Sequence, residues 1–146
     1  MFIPATVTSQ CDLSSNFQIE DFNTTSVSIS VENATNNDLS HVDQGICGVF
    51  IEFEHTHIGD LLVELISPEG QSVSLIGSVV NSGNTTATNW NVFFTSCASP
   101  PSPDAGFSPV WDNNQNWGIL GNYSGTYYPF QGCLEDFNTG PVNGLW

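Results

Sequence analysis

Lysine and arginine are absent from this chain of 146 residues, which carries fifteen acidic residues and three histidines for a formal net charge of −15. Ordinary usage would supply on the order of fifteen bases. Without them no side chain neutralises phosphates, so nucleic-acid binding and attachment to an anionic membrane surface are disfavoured. No carboxylate can pair with Lys or Arg, so the acids repel one another at low salt and are relieved by cations or a saline medium. Trypsin-like proteases find no cleavage site. Charged residues make up only 10% of the chain. The acidity therefore comes from missing bases, on a surface built mainly of Ser, Thr, Asn and Gln.

Helical periodicity is also missing: thirteen glycines and eight prolines interrupt the apolar runs, and no segment keeps an i, i+3, i+4, i+7 pattern over several turns. No run approaches the length of a membrane span. Catalytic signatures are lacking too. There is no Gly-x-Ser-x-Gly elbow or subtilisin-like catalytic serine motif, and His-Glu-x-x-His is absent. Carboxylate neighbours such as Glu52 and Glu54, or Glu135 and Asp136, imitate a glycosidase pair, but an acid-rich chain produces such pairs by chance. The expectation is a protein that is not an enzyme.

The four cysteines, Cys11, Cys47, Cys97 and Cys133, lack the C-x-x-C spacing of a zinc site and read as two disulfides. That places the chain in an oxidising compartment, extracellular, secreted or on a cell surface. Three connectivities are open, and we favour Cys97 with Cys133 and Cys11 with Cys47. The first would clip a long Pro-rich excursion and the second would pin the N-terminal arm. Met1 to Ala5 does not read as a secretory signal. Sequons at Asn23, Asn33, Asn84 and Asn122 fit surface loops but carry little weight in a chain rich in Asn and Thr.

What the chain does contain is strand pattern. Val49, Ile51 and Phe53 face one way and Glu52 and Glu54 the other, as in a strand with one wet face. Leu61, Val63 and Leu65 alternate with Leu62, Glu64 and Ile66, and Val73 and Leu75 resume the period after Ser67-Pro-Glu-Gly70, which predicts a hairpin. Ser26 to Val31 predicts an earlier strand. The fold class that follows is all-β, a sandwich.

Gly59-Asp-Leu followed by Ser67-Pro-Glu-Gly70 and a Val/Leu strand resembles the P domain, or Homo B domain, found after the catalytic domain of subtilisin-like proprotein convertases and in bacterial secreted and surface proteins. Asn89-Trp-Asn-Val-Phe-Phe94 resembles that family's Asn/Asp-Trp strand, Tyr123-Ser-Gly-Thr-Tyr-Tyr-Pro129 its Gly-Thr-Tyr-x-Pro segment, and Asn143-Gly-Leu-Trp146 its closing Asn-Gly-x-Trp. The resemblance spans Phe17 to Trp146 and implies a jelly-roll-like sandwich over residues 17–146, preceded by an arm over residues 1–16. It also implies that the last one or two strands are not within this chain, either cut off or donated by a neighbour through β-strand addition.

The resemblance implies a non-catalytic extracellular module with a structural, adhesive or assembly role in a larger protein or filament. Its partners would be other domains of the same polypeptide or neighbouring subunits. Two alternatives stand beside it: an accessory stabilising domain of a secreted subtilisin-like protease, and a lectin-like carbohydrate-binding module. For the last, Trp111, Trp117 and Tyr127 in the long loop region are the candidate stacking residues, the favoured alternative being that most of these aromatics simply pack the loop onto the sheet.

Oxygen ligands abound without a competing base, so calcium is the ion to consider. Asp112-x-Asn114-x-Asn116 starts like an EF-hand loop, but Trp117 stands at the glycine position and Tyr123 at the bidentate glutamate position. A site assembled from Asp60, Glu54 and Asp43 is the candidate instead. The alternative for Asp60 is a carboxylate that merely caps its turn. His55 and His57 would share a face on a strand, a polar outer face near the strand end rather than a metal pair.

Overall fold

The structure, a computed structural model, describes residues 16–80, 88–103, 106–115, 117 and 120–146. The arm over residues 1–16, Cys11 and the Asn84 sequon therefore fall wholly or almost wholly outside the described residues. Among those residues the chain forms strands β1 (Ser30–Val31), β2 (Gly48–His55), β3 (Val63–Ile66), β4 (Ser72–Ile76), β5 (Thr88–Thr95), β6 (Gly121–Tyr127) and β7 (Gly144–Leu145). Two short 3-10 turns, Ile58–Asp60 and Leu134–Asp136, are the helical elements. The protein is all-β, with its strands divided among several sheets.

β2, β5 and β6 make one sheet in that order. β2 runs antiparallel to β5, with Phe53 opposite Trp90 and Phe50 opposite Phe93, whereas β6 runs parallel to β5, with Tyr123 beside Trp90 and Tyr127 beside Phe94. β3 and β4 form the expected antiparallel hairpin. Its turn is closed by the Gly70 N–H donating to the Ser67 carbonyl at 2.8 Å, and by the Ser67 hydroxyl accepting the Gln71 N–H at 3.0 Å. Gly70 has φ +86°, a left-handed conformation that a side chain there would resist. The register shifts between Val63 and Glu64. That irregularity lets adjacent Leu75 and Ile76 both be buried, which strict alternation would forbid.

The strand expected over Ser26 to Val31 is paired only at Ser30 and Val31, against Leu145 and Gly144. Ile29 and Trp146 extend the contact by exchanging N–H to carbonyl bonds of 2.8 and 3.0 Å. Farther upstream no partner strand exists among the described residues, and alternation without a partner leaves the backbone outside a ladder. Asn143 ties the same region together. Its side-chain oxygen accepts the Ala34 N–H at 2.9 Å, and its own N–H donates to the Asn37 side chain at 2.6 Å.

The inner faces share one core. Val73, Leu75 and Ile76 of β4 meet Trp90, Val92 and Phe94 of β5 and Tyr123 and Tyr127 of β6. Trp111 and Trp117, from the segment between β5 and β6, complete it. The Trp90 ring packs edge-on against Trp111, Trp117 and Tyr123 at centroid distances of 5.6, 5.1 and 5.3 Å, the geometry that ring quadrupoles prefer. Among the described residues the indole N–H groups of Trp90 and Trp117 have no hydrogen-bond partner. Gly125 lies between Tyr123 and Tyr127 on the inner face of β6. A Cβ there would stand 2.7 Å from the Tyr127 ring and 2.8 Å from the Tyr123 hydroxyl, so the absence of a side chain is what lets the two tyrosines close over the strand and hydrogen-bond to each other.

Candidate partner-binding face

The two faces of the β2–β5–β6 sheet differ because the side chains alternate. Val49, Ile51, Phe53, Trp90, Val92 and Phe94 belong to the core or pack against it. The outer face repeats in rows set by the register. Glu54, Asn89 and Asn122 form one row, Glu52, Asn91 and Ser124 the next, and Phe50, Phe93 and Thr126 the third. Carboxylates therefore line the β2 side and amides the centre, where Asn89 donates to Asn122 at 3.1 Å. The third row is apolar, with Phe50 60% exposed and Phe93 39% exposed. The Phe93 ring lies over Gly48, in space that a Cβ at Gly48 would occupy.

Trp111, Trp117 and Tyr127, the sequence candidates for ligand stacking, are placed elsewhere. All are buried, at 0%, 3% and 0% exposure, and their ring faces meet other rings of the core. Their burial has a physical cause. The Asn- and Pro-rich segment that carries both tryptophans folds back onto the sheet, held by Trp111 N–H to the Tyr128 carbonyl at 3.1 Å and Tyr128 N–H to the Pro109 carbonyl at 2.8 Å. Asn113 then locks it. This fully buried residue accepts the Trp111 indole N–H at 2.7 Å and donates to the Leu61 carbonyl at 2.8 Å, while its own N–H reaches the Gly77 carbonyl at 3.0 Å. Sequence reasoning missed Asn113, which is indistinguishable by composition from its neighbours in the polar run.

The carboxylates proposed for calcium do not converge. Among the described residues the one group of three potential ligands within mutual reach is Cys97, Cys133 and Glu135, and both of its sulfurs are consumed by the Cys97–Cys133 disulfide. Asp60 is exposed at the end of its 3-10 turn, Glu54 is exposed on β2, and Asp43 lies 3.7 Å from His41. Near the disulfide, Glu135 instead acts as an acceptor. Its two oxygens take the N–H groups of Cys97 at 3.0 Å and Ala98 at 2.8 Å. Partial burial pulls its carboxyl up, but those donors prevail and hold it below the ordinary carboxylate value.

β2 ends at His55, so His57 lies beyond the strand and the shared histidine face is not formed. The His55 ring instead accepts the His57 backbone N–H through Nδ1 at 3.2 Å, a local turn contact. Cys47 is exposed beside the start of β2, and Cys11, its expected disulfide partner, lies outside the described residues.

No curated protein and no solved structure matches the chain. The family model of the proprotein convertase P-domain does match, over residues 47–106. That stretch contains β2, the β3–β4 hairpin and β5, whereas the Tyr123 to Pro129 and Asn143 to Trp146 motifs lie downstream of it. The segment that builds the hairpin and two strands of the central sheet is thus the part of the chain that is similar to the proprotein convertase P-domain.

Proposed function

We propose that this chain is a non-catalytic, secreted or cell-surface β-sandwich module that stabilises or presents part of a larger extracellular protein or assembly. The observation that carries this reading is the P-domain match over residues 47–106. The Cys97–Cys133 disulfide supports an oxidising setting. The exposed outer sheet face supports a role in contact with other domains or subunits, since exposed aromatic residues clustered on one face suit interaction surfaces.

A second reading, an accessory domain that supports a secreted subtilisin-like protease, draws on the convertase origin of the matched family. A lectin-like role through Trp111, Trp117 and Tyr127 has no accessible ring face to work with. Deleting residues 17–146 from the gene in its source organism separates the first two readings. Loss of partner proteins from the extracellular fraction, with secreted protease activity intact, supports the assembly role. Loss of a secreted serine-protease activity supports the accessory role, and an unchanged extracellular fraction refutes both.

A further inference from the structure

β2 is an edge strand. The sheet order is β2–β5–β6, and among the described residues no strand pairs with the outer side of β2. An unpaired edge of eight residues presents a row of backbone donors and acceptors, a template for another strand. Beside that edge, Glu52 and Glu54 project from the outer face two residues apart, and Phe50 continues the same line. Across the sheet these acids oppose Asn91 and Asn89, which are neutral.

The chain has no Lys or Arg anywhere. Neither carboxylate can therefore be neutralised by such a side chain from its own fold, and a second copy has none to supply. The edge and its charges ask for a complement that only a different polypeptide or domain can provide.

We propose that β2 docks an extended, basic segment of a partner protein as an added strand, with Lys or Arg at alternate positions opposite Glu52 and Glu54 and an apolar residue opposite Phe50. Backbone bonds along the edge hold the segment, and the period of two, with same-face residues about 6.8 Å apart, matches basic side chains to the two acids. The exposed Phe50–Phe93 pair supplies the apolar anchor at one end. Charge complementarity sets partner choice and makes association fall with salt. This inference rests on the reading of the chain as a partner-binding module and adds the place and the chemistry of the partner.

The test uses the full chain and a short fluorescent peptide in which lysine alternates with threonine and one leucine continues the lysine-bearing face. A peptide of the same composition with its lysines in one block serves as the control, and anisotropy reports binding at low and physiological salt. The alternating peptide should bind severalfold more tightly than the blocked one. The E52Q/E54Q variant should lose about fivefold in affinity, and Phe50→Ser a similar amount. All three positions are exposed, and near-UV circular dichroism checks that the variants keep their fold. Equal binding of the two peptides, wild-type affinity in both variants, or no binding by the alternating peptide would each overturn the proposal. Those outcomes leave the module reading to the gene deletion, which does not depend on β2.

Discussion

Asn113→Ala tests the buried clamp most directly. The substitution removes the acceptor of the Trp111 indole N–H and the donor to the Leu61 carbonyl, at a residue with no solvent exposure. Each buried group left unpaired costs about 1–3 kcal/mol, so the loss should be about 3 kcal/mol, a large share of the stability of an ordinary domain. For a chain of this length that lowers Tm by about 6–12 °C. Thermal melts followed by near-UV circular dichroism, which reports the tryptophan cluster, would read it. Asn114 provides the internal control. Its side-chain oxygen is buried without a partner among the described residues, so Asn114→Ala removes an unsatisfied acceptor and should be neutral or slightly stabilising. In a double-mutant cycle with Trp111→Phe, the cost of Asn113→Ala should shrink by about 1–2 kcal/mol, because the orphaned donor is already gone. A Tm for Asn113→Ala within about 2 °C of wild type, or an Asn114→Ala variant equally destabilised, would refute the clamp.

Reducing the Cys97–Cys133 disulfide, or replacing both cysteines with serine, opens a loop of sequence separation 36. It should cost about 3–4 kcal/mol in urea unfolding. Glu135→Gln should lower Tm at neutral pH. Because the Glu135 carboxyl is held below the ordinary carboxylate value in the folded state, its contribution is present above that value and lost as the pH falls through the folded one. The wild-type and variant melts should therefore converge in acid, and a gap that persisted there would contradict the role of its charge. Gly125→Ala places a methyl against both Tyr123 and Tyr127 and should destabilise by about 1–3 kcal/mol, measured by chemical denaturation.

β2 and the β3–β4 hairpin were legible because their two faces meet different environments, and Glu52 and Glu54 alternating with Ile51 and Phe53 record that difference in sequence. Ser26 to Val31 alternates as well, yet only its end, Ile29 to Val31, finds a partner, since a ladder needs a neighbour that local pattern cannot supply. The parallel partnership of β5 and β6 was hidden for the same reason. It is a long-range choice, made between strands separated by a Pro- and Asn-rich segment. For the tryptophans of that segment the sequence left ligand stacking and packing onto the sheet both open, because their neighbours are polar, and burial was decided by how the segment folds back through Asn113. Asp60, Glu54 and Asp43 were joined by nearness in sequence, which does not bring carboxylates on separate turns and strands within reach of one ion. The outer face of the central sheet needed the register, which aligns Phe50 with Phe93.

Because β6 lies parallel to β5, the chain after Thr95 must travel back along the sheet before it can pair at Gly121. On the ribosome this imposes an order of events. Trp90, Val92 and Phe94 emerge with their inner faces bare, and Trp111, Trp117 and Tyr127 reach them only after a further stretch of chain has been made. At ordinary elongation rates the gap between Trp90 and Tyr127 lasts roughly two to seven seconds. During that interval the nascent polypeptide displays an unfinished aromatic surface, and Cys97 waits for Cys133. The parallel crossover thus sets how long this aromatic surface stays open to non-native contacts before the core closes.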